Sequence, residues 1–195
     1  HGDFVDSLVV GAPLSHYAES VRAIGIEIEL GRPGGRNAVI GLTSALPNEG
    51  KTTLATSLAR LMAHGGKRVV LVDCDLRSPS LSATMAPAAT IGWVEVAQGA
   101  VELEQAVWKD PKTQLDILPA VCREPPLHSS ELLASAATRA LFERLRESYD
   151  YVLVDLPPLT PVVDARASGA FVDDYVLVIE WGATRVETVR RALHK

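Results

Sequence analysis

Cysteine is scarce in this sequence, since Cys74 and Cys122 are the only two among 195 residues. Two cysteines cannot form the disulfide framework that holds small secreted domains together, which fits a reducing cytosol. The five histidines show no ligand spacing with these cysteines, so we predict no zinc site.

Long apolar runs and an excess of basic residues are absent as well. No stretch reaches the roughly 20 apolar residues with which a helix spans a bilayer, and we predict no signal peptide in the given sequence. Lysine and arginine number 19 against 24 acidic residues, and the net charge of −5 gives no reason to expect nucleic acid as a partner. Because the chain begins with His1 rather than Met, we expect it to be a piece of a longer protein.

The sequence has the composition of an ordinary globular protein, with 47% hydrophobic and 22% charged residues. Its length suits one domain with a sizeable core. Continuous apolar runs predict buried strands at residues 38–42, 68–72, 151–154 and 175–179, and a further strand is predicted at 114–118. Helices are predicted from residue 17 toward residue 30, at 54–63, in short pieces at 94–98 and 103–108, and at 131–147, where Ser129 or Ser130 is the expected cap.

Strands that alternate with helices predict an α/β fold, with a mostly parallel β-sheet and helices on both faces. We divide the chain into two units at a linker punctuated by proline and glycine. Residues 1–36 form an N-terminal helix and linker that pack on the core or on a neighbouring subunit, and residues 37–195 form the core domain.

A phosphate-binding loop at residues 43–53 is the strongest functional signal. It lies between a predicted strand and a predicted helix, so its backbone N–H groups and the helix N-terminus point together at an anion. Gly50 lets the backbone approach the phosphates, Lys51 reaches the terminal phosphates, and the Thr52 hydroxyl binds Mg²⁺. Ala45 replaces the first glycine of the usual pattern, and the competing interpretation is an ordinary strand-to-helix turn.

Aspartates follow two of the predicted buried strands, as Asp73 with Asp75 and as Asp155. Ligands of an open α/β sheet bind beyond the carboxyl ends of its strands, so we expect these carboxylates beside the loop, near Mg²⁺. The alternative is that each aspartate only forms a turn. For Arg77, one interpretation is contact with a phosphate, and the other is that its side chain is solvated or paired with an aspartate. Cys74 is predicted to be a small buried residue that fills space in the core.

Three motifs, in this order, resemble those of the bacterial tyrosine kinases, the P-loop autokinases of capsule and exopolysaccharide export. The motifs are Pro-x-Glu-Gly-Lys within residues 42–53, an apolar triplet with Asp-x-Asp-x-Arg within 70–77, and an apolar triplet with Asp-x-Pro-Pro within 152–158. Residues 78–81, Pro125 and Pro126 with residues 130–133, and Gly182 with Thr184 extend the likeness over nearly the whole chain. The resemblance implies a P-loop NTPase fold of the partition-ATPase-like branch.

The resemblance also implies roles for individual residues. Lys51 would hold the β- and γ-phosphates, and Asp73, supported by Asp75, would be the base that deprotonates a tyrosine hydroxyl. Magnesium would be held by Thr52, Asp73 and Asp155. The residues implied in binding ATP or ADP are Pro47, Asn48, Glu49, Gly50, Lys51, Thr52, Thr53 and Arg77.

The implied activity is that of an ATP-dependent protein-tyrosine autokinase that regulates exopolysaccharide or capsule polymerisation and export. Its implied location is the inner face of the bacterial plasma membrane, as a cytoplasmic domain. Its implied partners are further copies of itself in a ring, where each subunit phosphorylates its neighbour's tail, a membrane-embedded chain-length regulator fused in the parent protein, and a tyrosine phosphatase.

The sequence departs from the family pattern at several positions. Gly25 replaces the last arginine of the Glu-x-x-Arg-x-x-Arg sequence in the family's oligomerisation helix, and Leu156 replaces a hydroxyl residue. The given sequence holds no tyrosine-rich tail, and we expect either that this tail was cut away or that the protein never had one. Of the four tyrosines, Tyr151 and Tyr175 open predicted core strands, where packing is the expected role.

Two other classes of function stay open. One is a switch ATPase that hydrolyses ATP without phosphorylating tyrosine. Members of that class carry a lysine five positions before the loop lysine, and Leu46 at that position argues against it. The other is a module without catalysis, in which nucleotide only controls assembly of an export machine.

Overall fold

The computed structural model describes residues 9–31, 37–121, 128–160 and 164–194. Within these ranges one sheet has the strand order β3-β4-β2-β5-β1-β6, and all its pairings are parallel except that of β3 with β4. The predicted α/β fold with a mostly parallel sheet is confirmed. The strands are β1 (Ala38–Ser44), β2 (Val69–Asp73), β3 (Trp108–Lys109), β4 (Asp116–Leu118), β5 (Tyr151–Asp155) and β6 (Asp174–Val178).

Helices lie between most of these strands, and a short 3-10 helix spans Ser168–Ala170. In the described part of the chain, no helix combines the length and the apolar composition that membrane crossing requires. The helices are α1 (His16–Leu30), α2 (Lys51–His64), α3 (Ser80–Met85), α4 (Trp93–Ala97), α5 (Leu103–Ala106), α6 (Ser129–Ala134), α7 (Ala136–Ser148), α8 (Asp164–Ala167) and α9 (Val186–His194).

The sheet separates two hydrophobic cores. Alternate residues of β2 face opposite sides: Val70 and Val72 pack with α4, α5 and α7, whereas Leu71 packs with α1 and α2. In the first core the rings of Phe142 and Phe171 stack with centroids 3.9 Å apart. Strands β1, β2 and β5 are buried along their whole length, as predicted for strands covered on both faces.

Helix α1 packs on α2 at the surface of the second core. Its buried residues include Ala18, Val21 and Gly25, and the Tyr17 hydroxyl lies 2.8 Å from the Ser57 hydroxyl. A Cβ atom at Gly25 would lie 3.5 Å from Leu58 Cδ1, so this position faces the core. The predicted boundary between the two units lies in residues 32–36, outside the described residues, and stays a prediction.

Some element predictions are wrong. Residues 131–147 do not form one helix, because the chain is extended at Ser135, whose side chain accepts a hydrogen bond from the Thr138 N–H and caps α7. Strand β6 is not buried: it pairs with β1 at the outside of the sheet, and its residues are exposed or half-buried. Residue 108, the predicted end of a helix, begins the antiparallel strand β3.

The two tyrosines expected in core strands differ accordingly. Tyr151 is 5% exposed and packs in the second core, as predicted, whereas Tyr175 on β6 is 46% exposed. The prediction of a core position for Tyr175 is therefore wrong, because nothing in an apolar run distinguishes a central strand from an outer one.

Candidate active site

The turn between β1 and α2 has the conformation of an anion-binding loop. Asn48 and Gly50 have φ angles of 67° and 85°, which Gly50 adopts without steric cost because it lacks a Cβ atom. Gly50 is the N-cap of α2 and supplies no side-chain hydrogen bond. The N–H groups of the first helical turn and the positive end of the helix dipole therefore remain for an anion such as phosphate.

Lys51, the first residue of α2, lies among acidic side chains. Its Nζ atom is 3.1 Å from Asp75 Oδ2 and 3.3 Å from Asp155 Oδ1, and the residue is 8% exposed. Burial lowers the pKa of this ammonium group, but the negative charges of Asp155 and Asp75 outweigh burial and leave the pKa raised. Lys51 is thus a fixed positive charge beneath the loop.

Asp155 joins Lys51 to Thr52. The Thr52 hydroxyl donates to Asp155 Oδ2 at 2.7 Å and lies 3.4 Å from the Ser80 hydroxyl. Asp155 is fully buried, and burial raises its pKa against the opposing effects of Lys51 and Thr52. The predicted convergence of the loop with the carboxyl end of β5 is present.

Asp73 is opposite Asp155 in the pairing of β2 with β5, but a different set of groups holds it. Its Oδ2 accepts hydrogen bonds from the Ser82 N–H at 2.9 Å and the Ser82 hydroxyl at 2.6 Å, and its Oδ1 accepts from the Asp75 N–H at 3.1 Å. Burial, and then the charge of Asp155, raises the pKa of Asp73 from 3.8 to about 7. A carboxylate of this kind takes up and releases a proton near neutral pH.

The residues present fit a magnesium ion that arrives with a nucleotide better than a metal held by protein alone. Within the described ranges, no three His, Cys, Asp or Glu side chains are arranged to hold a metal ion. Mg²⁺ keeps several waters and usually takes one or two carboxylates together with substrate phosphates. The Thr52 hydroxyl and the Asp155 carboxylate, which are hydrogen-bonded to each other, suit a magnesium ion that is also bound by phosphates and water. Magnesium binding by Thr52, Asp73 and Asp155 stays a prediction.

The other predicted nucleotide-binding residues surround the loop. Pro47 and Asn48 are exposed on the loop, Thr53 is half-buried in the first turn of α2, and Arg77 is exposed after β2. Glu49 is different: its buried carboxylate accepts hydrogen bonds from the Leu46 and Glu180 N–H groups.

The prediction for Cys74 concerns this region. Cys74 is fully buried, and burial raises the pKa of its thiol well above the usual value. The predicted filler role is confirmed. Cys122, Pro125 and Pro126 lie outside the described residues.

Three further residues support the site in ways that were not predicted from the sequence. Ser82 holds Asp73 and accepts a hydrogen bond from the Ala120 N–H at 2.8 Å. The Trp93 indole N–H donates to the Asp73 carbonyl at 2.7 Å, and the Thr184 hydroxyl donates to Glu49. No local motif marks their roles, because each contact depends on how separate elements pack, and the bonded residues lie 9, 20 and 135 positions apart in the chain. For Thr184, the only signal was that its surroundings resemble the family pattern.

Comparison with known proteins places this geometry in a family. A sequence model described as an AAA domain matches residues 40–190. Tyrosine-protein kinase YwqD of Bacillus subtilis (strain 168) is 35% identical over 180 residues, which cover 92% of this chain and 75% of YwqD. This chain belongs to the bacterial tyrosine-protein kinase family. The predicted resemblance is confirmed.

Two further relatives extend this family assignment. Succinoglycan biosynthesis transport protein ExoP of Rhizobium meliloti (strain 1021) is 42% identical over 188 residues, which cover 96% of this chain but 24% of ExoP. The kinase domain of the Escherichia coli tyrosine kinase ETK has the same fold, with a TM-score of 0.88 and 28% identity over 97% of this chain and 73% of that one. This member of the kinase family therefore spans about a quarter of ExoP and most of the ETK domain.

Proposed function

We propose that this chain transfers the γ-phosphate of ATP to tyrosine and thereby regulates the polymerisation and export of exopolysaccharide or capsule. The observation that carries the proposal is the buried Lys51 ammonium group, which contacts Asp75 and Asp155 beside Thr52. A preorganised cation in a buried site stabilises the charge on a phosphoryl group in transit. The similarity to ExoP, which is named for succinoglycan biosynthesis transport, supports the polysaccharide setting.

Each residue of the site has a task in the proposed reaction. The loop N–H groups and Lys51 hold the phosphates, while Thr52, Asp73 and Asp155 would hold Mg²⁺. When bound, Mg²⁺ neutralises charge on the phosphate oxygens. Asp73 accepts the tyrosine hydroxyl proton as the phenolic oxygen bonds to the γ-phosphorus and the bond to the leaving ADP oxygen breaks.

The proposed partners follow from the same family. They are further copies of this chain, a membrane-embedded chain-length regulator fused in the parent protein, and a tyrosine phosphatase, all at the inner face of the plasma membrane. Gly25 faces Leu58 within the molecule, so contacts between copies would use other residues of α1, such as the ion-paired Glu19 and Arg22.

A single substitution tests the proposed reaction. Lys51→Met in the full-length parent protein removes the fixed cation and should lower tyrosine phosphorylation by about 10²–10³-fold. The measurement is mass spectrometry of the intact protein and its peptides after incubation with Mg·ATP. Lys67→Met is the matched control, because Lys67 lies just before the amino end of β2, opposite the site, in an exposed ion pair with Glu29.

The outcomes separate the candidate functions. Phosphotyrosine in the parent protein and in Lys67→Met, together with its loss in Lys51→Met, supports the proposal. An unchanged signal in Lys51→Met contradicts it. Hydrolysis of ATP without phosphotyrosine indicates a switch ATPase, and an oligomer size that follows nucleotide occupancy, without either reaction, indicates an assembly module.

A further inference from the structure

Glu49 belongs to the phosphate loop, but its side chain connects that loop to a distant part of the chain. Its Oε2 atom accepts a hydrogen bond from the Leu46 N–H at 2.6 Å, within the loop itself. Its Oε1 atom accepts from the Glu180 N–H at 3.2 Å and from the Thr184 hydroxyl. Glu180 and Thr184 lie in residues 179–185, between β6 and α9, which we call the β6–α9 turn.

The Glu49 carboxylate is ionised in this position. Burial raises its pKa, but the hydrogen bonds from Thr184 and from the N–H groups of Leu46, Glu180 and Ala45 together outweigh burial and leave the pKa lowered. A negative side chain cannot itself bind a phosphate. It holds the shape of the loop, and hydrogen bonds to charged groups are stronger than those between neutral groups.

The β6–α9 turn contains a natural fluorescent reporter, Trp181. Trp181 follows Glu180 directly and is 99% exposed, and Gly182 turns the chain with a φ angle of 76°. In the described sheet, β6 pairs with β1 alone. The Glu49 bridge is therefore a specific contact by which the loop restrains this turn.

We propose that Glu49 is a positioning residue that couples the phosphate loop to the β6–α9 turn, so that nucleotide bound at the loop changes the conformation around Trp181. This inference rests on the proposed nucleotide site. Coupling between sites is reciprocal, so weakening the bridge at the turn also weakens nucleotide binding at the loop.

Variants of Thr184 test the coupling in the whole chain. Thr184→Val removes the hydroxyl donor at nearly constant shape, Thr184→Ser keeps the donor, and Thr188→Val makes the same change within α9, outside the bridge. Fluorescence is recorded while Mg·ADP is added. The contribution of Trp181 is obtained by subtracting the same measurement on each variant combined with Trp181→Phe.

We expect Mg·ADP to change Trp181 fluorescence in the parent chain, in Thr184→Ser and in Thr188→Val. Thr184→Val should lose most of this change and bind Mg·ADP at least about 5-fold more weakly, the lower end of typical coupling between sites. Denaturant unfolding of each variant shows whether weaker binding comes from a general loss of stability. If it does not, and if Thr184→Ser restores binding, the hydroxyl hydrogen bond is the cause. If Thr184→Val does not fold, Glu49→Gln replaces it, with a partial loss expected because the amide keeps one acceptor oxygen.

Other results overturn the inference. If Thr184→Val binds Mg·ADP with the parent affinity and gives the parent fluorescence change, the bridge does not couple the two segments, and the proposed kinase function is unaffected. Binding by the parent chain without a Trp181 response also overturns the coupling. Absence of Mg·ADP binding by the parent chain overturns both the inference and the proposed function.

Discussion

At the residue scale, two buried aspartates differ in how their charge is compensated. Asp110 is 3% exposed and pairs with Arg60, whose Nε atom lies 3.1 Å from Asp110 Oδ2. Asp73 is fully buried, and the hydrogen bonds described for its carboxylate come from the neutral groups of Ser82 and of the Asp75 backbone. An uncompensated buried carboxylate resists ionisation, which is the physical cause of the raised pKa of Asp73.

This difference predicts how Asp73→Asn affects stability in the absence of nucleotide and metal. The pKa of Asp73 rises from 3.8 to about 7 on folding, so between these values the folded state binds more protons than the unfolded state. Stability therefore falls as pH rises through this window. Asp73→Asn removes the effect and should raise the free energy of unfolding by up to about 4 kcal/mol at about pH 8, with the gain disappearing toward about pH 4.

Urea unfolding of parent and variant across this pH range measures the effect. Asp110→Asn is the matched control and should destabilise by about 3–5 kcal/mol at neutral pH, because it leaves the Arg60 cation buried and unpaired. An Asp73→Asn variant that is less stable than the parent at every pH would show that its hydrogen bonds outweigh the burial of its charge.

Part of the site could be predicted at this scale. The rule that ligands bind beyond the carboxyl ends of parallel strands brought Lys51, Thr52, Asp75 and Asp155 together correctly. The same rule placed Asp73 beside Asp155, but it did not predict that Ser82 holds the Asp73 carboxylate. That contact depends on how α3 packs after β2, for which the sequence carries no local signal.

At the element scale, the close approach of α4 to the chain after β4 depends on Gly92. A Cβ atom at Gly92 would lie 2.2 Å from the Pro119 carbonyl oxygen and 3.0 Å from the Val121 nitrogen. Both are backbone atoms, so relief requires the two segments to separate. Because Trp93 follows Gly92 and bonds to the Asp73 carbonyl, this separation would also disturb the site.

Gly92→Ala should therefore lower the free energy of unfolding by about 3 kcal/mol, the upper end of typical overpacking costs. Gly25→Ala is the control, since its Cβ atom would make an ordinary 3.5 Å contact with Leu58 in the middle of α1. Alanine is favoured over glycine in a helix interior, so this variant should gain about 0.5–1 kcal/mol. Thermal or urea unfolding compares the two, and equal stabilities for Gly92→Ala and the parent would contradict the packing described here.

Element boundaries show where periodicity is informative. Strands β1, β2 and β5 were predictable because continuous apolar runs need cover on both faces. The break at Ser135 was not, because the apolar pattern continues from α6 into α7 while the serine side chain caps the second helix. A two-residue strand such as β3 is too short to produce any periodic signal.

At the scale of the whole molecule, the alternation of strands and helices was sufficient to predict the architecture, but not the order of the strands. The apolar run of β6 resembles that of β5, yet β5 lies inside the sheet and β6 at its edge. Strand order depends on crossover connections that composition does not encode. The position of β6 beside β1 is what brings the β6–α9 turn to the phosphate loop through Glu49.

The central claim is that Lys51 and the acidic groups around it form a site for a magnesium-bound nucleotide. A crystal structure of this chain with Mg²⁺ and a non-hydrolysable ATP analogue tests it most directly. We predict that the terminal phosphates contact Lys51 and the first N–H groups of α2, with Mg²⁺ beside Thr52 and Asp155. A nucleotide bound elsewhere, with Lys51 still paired to Asp75 and Asp155 and touching no phosphate, would contradict the account.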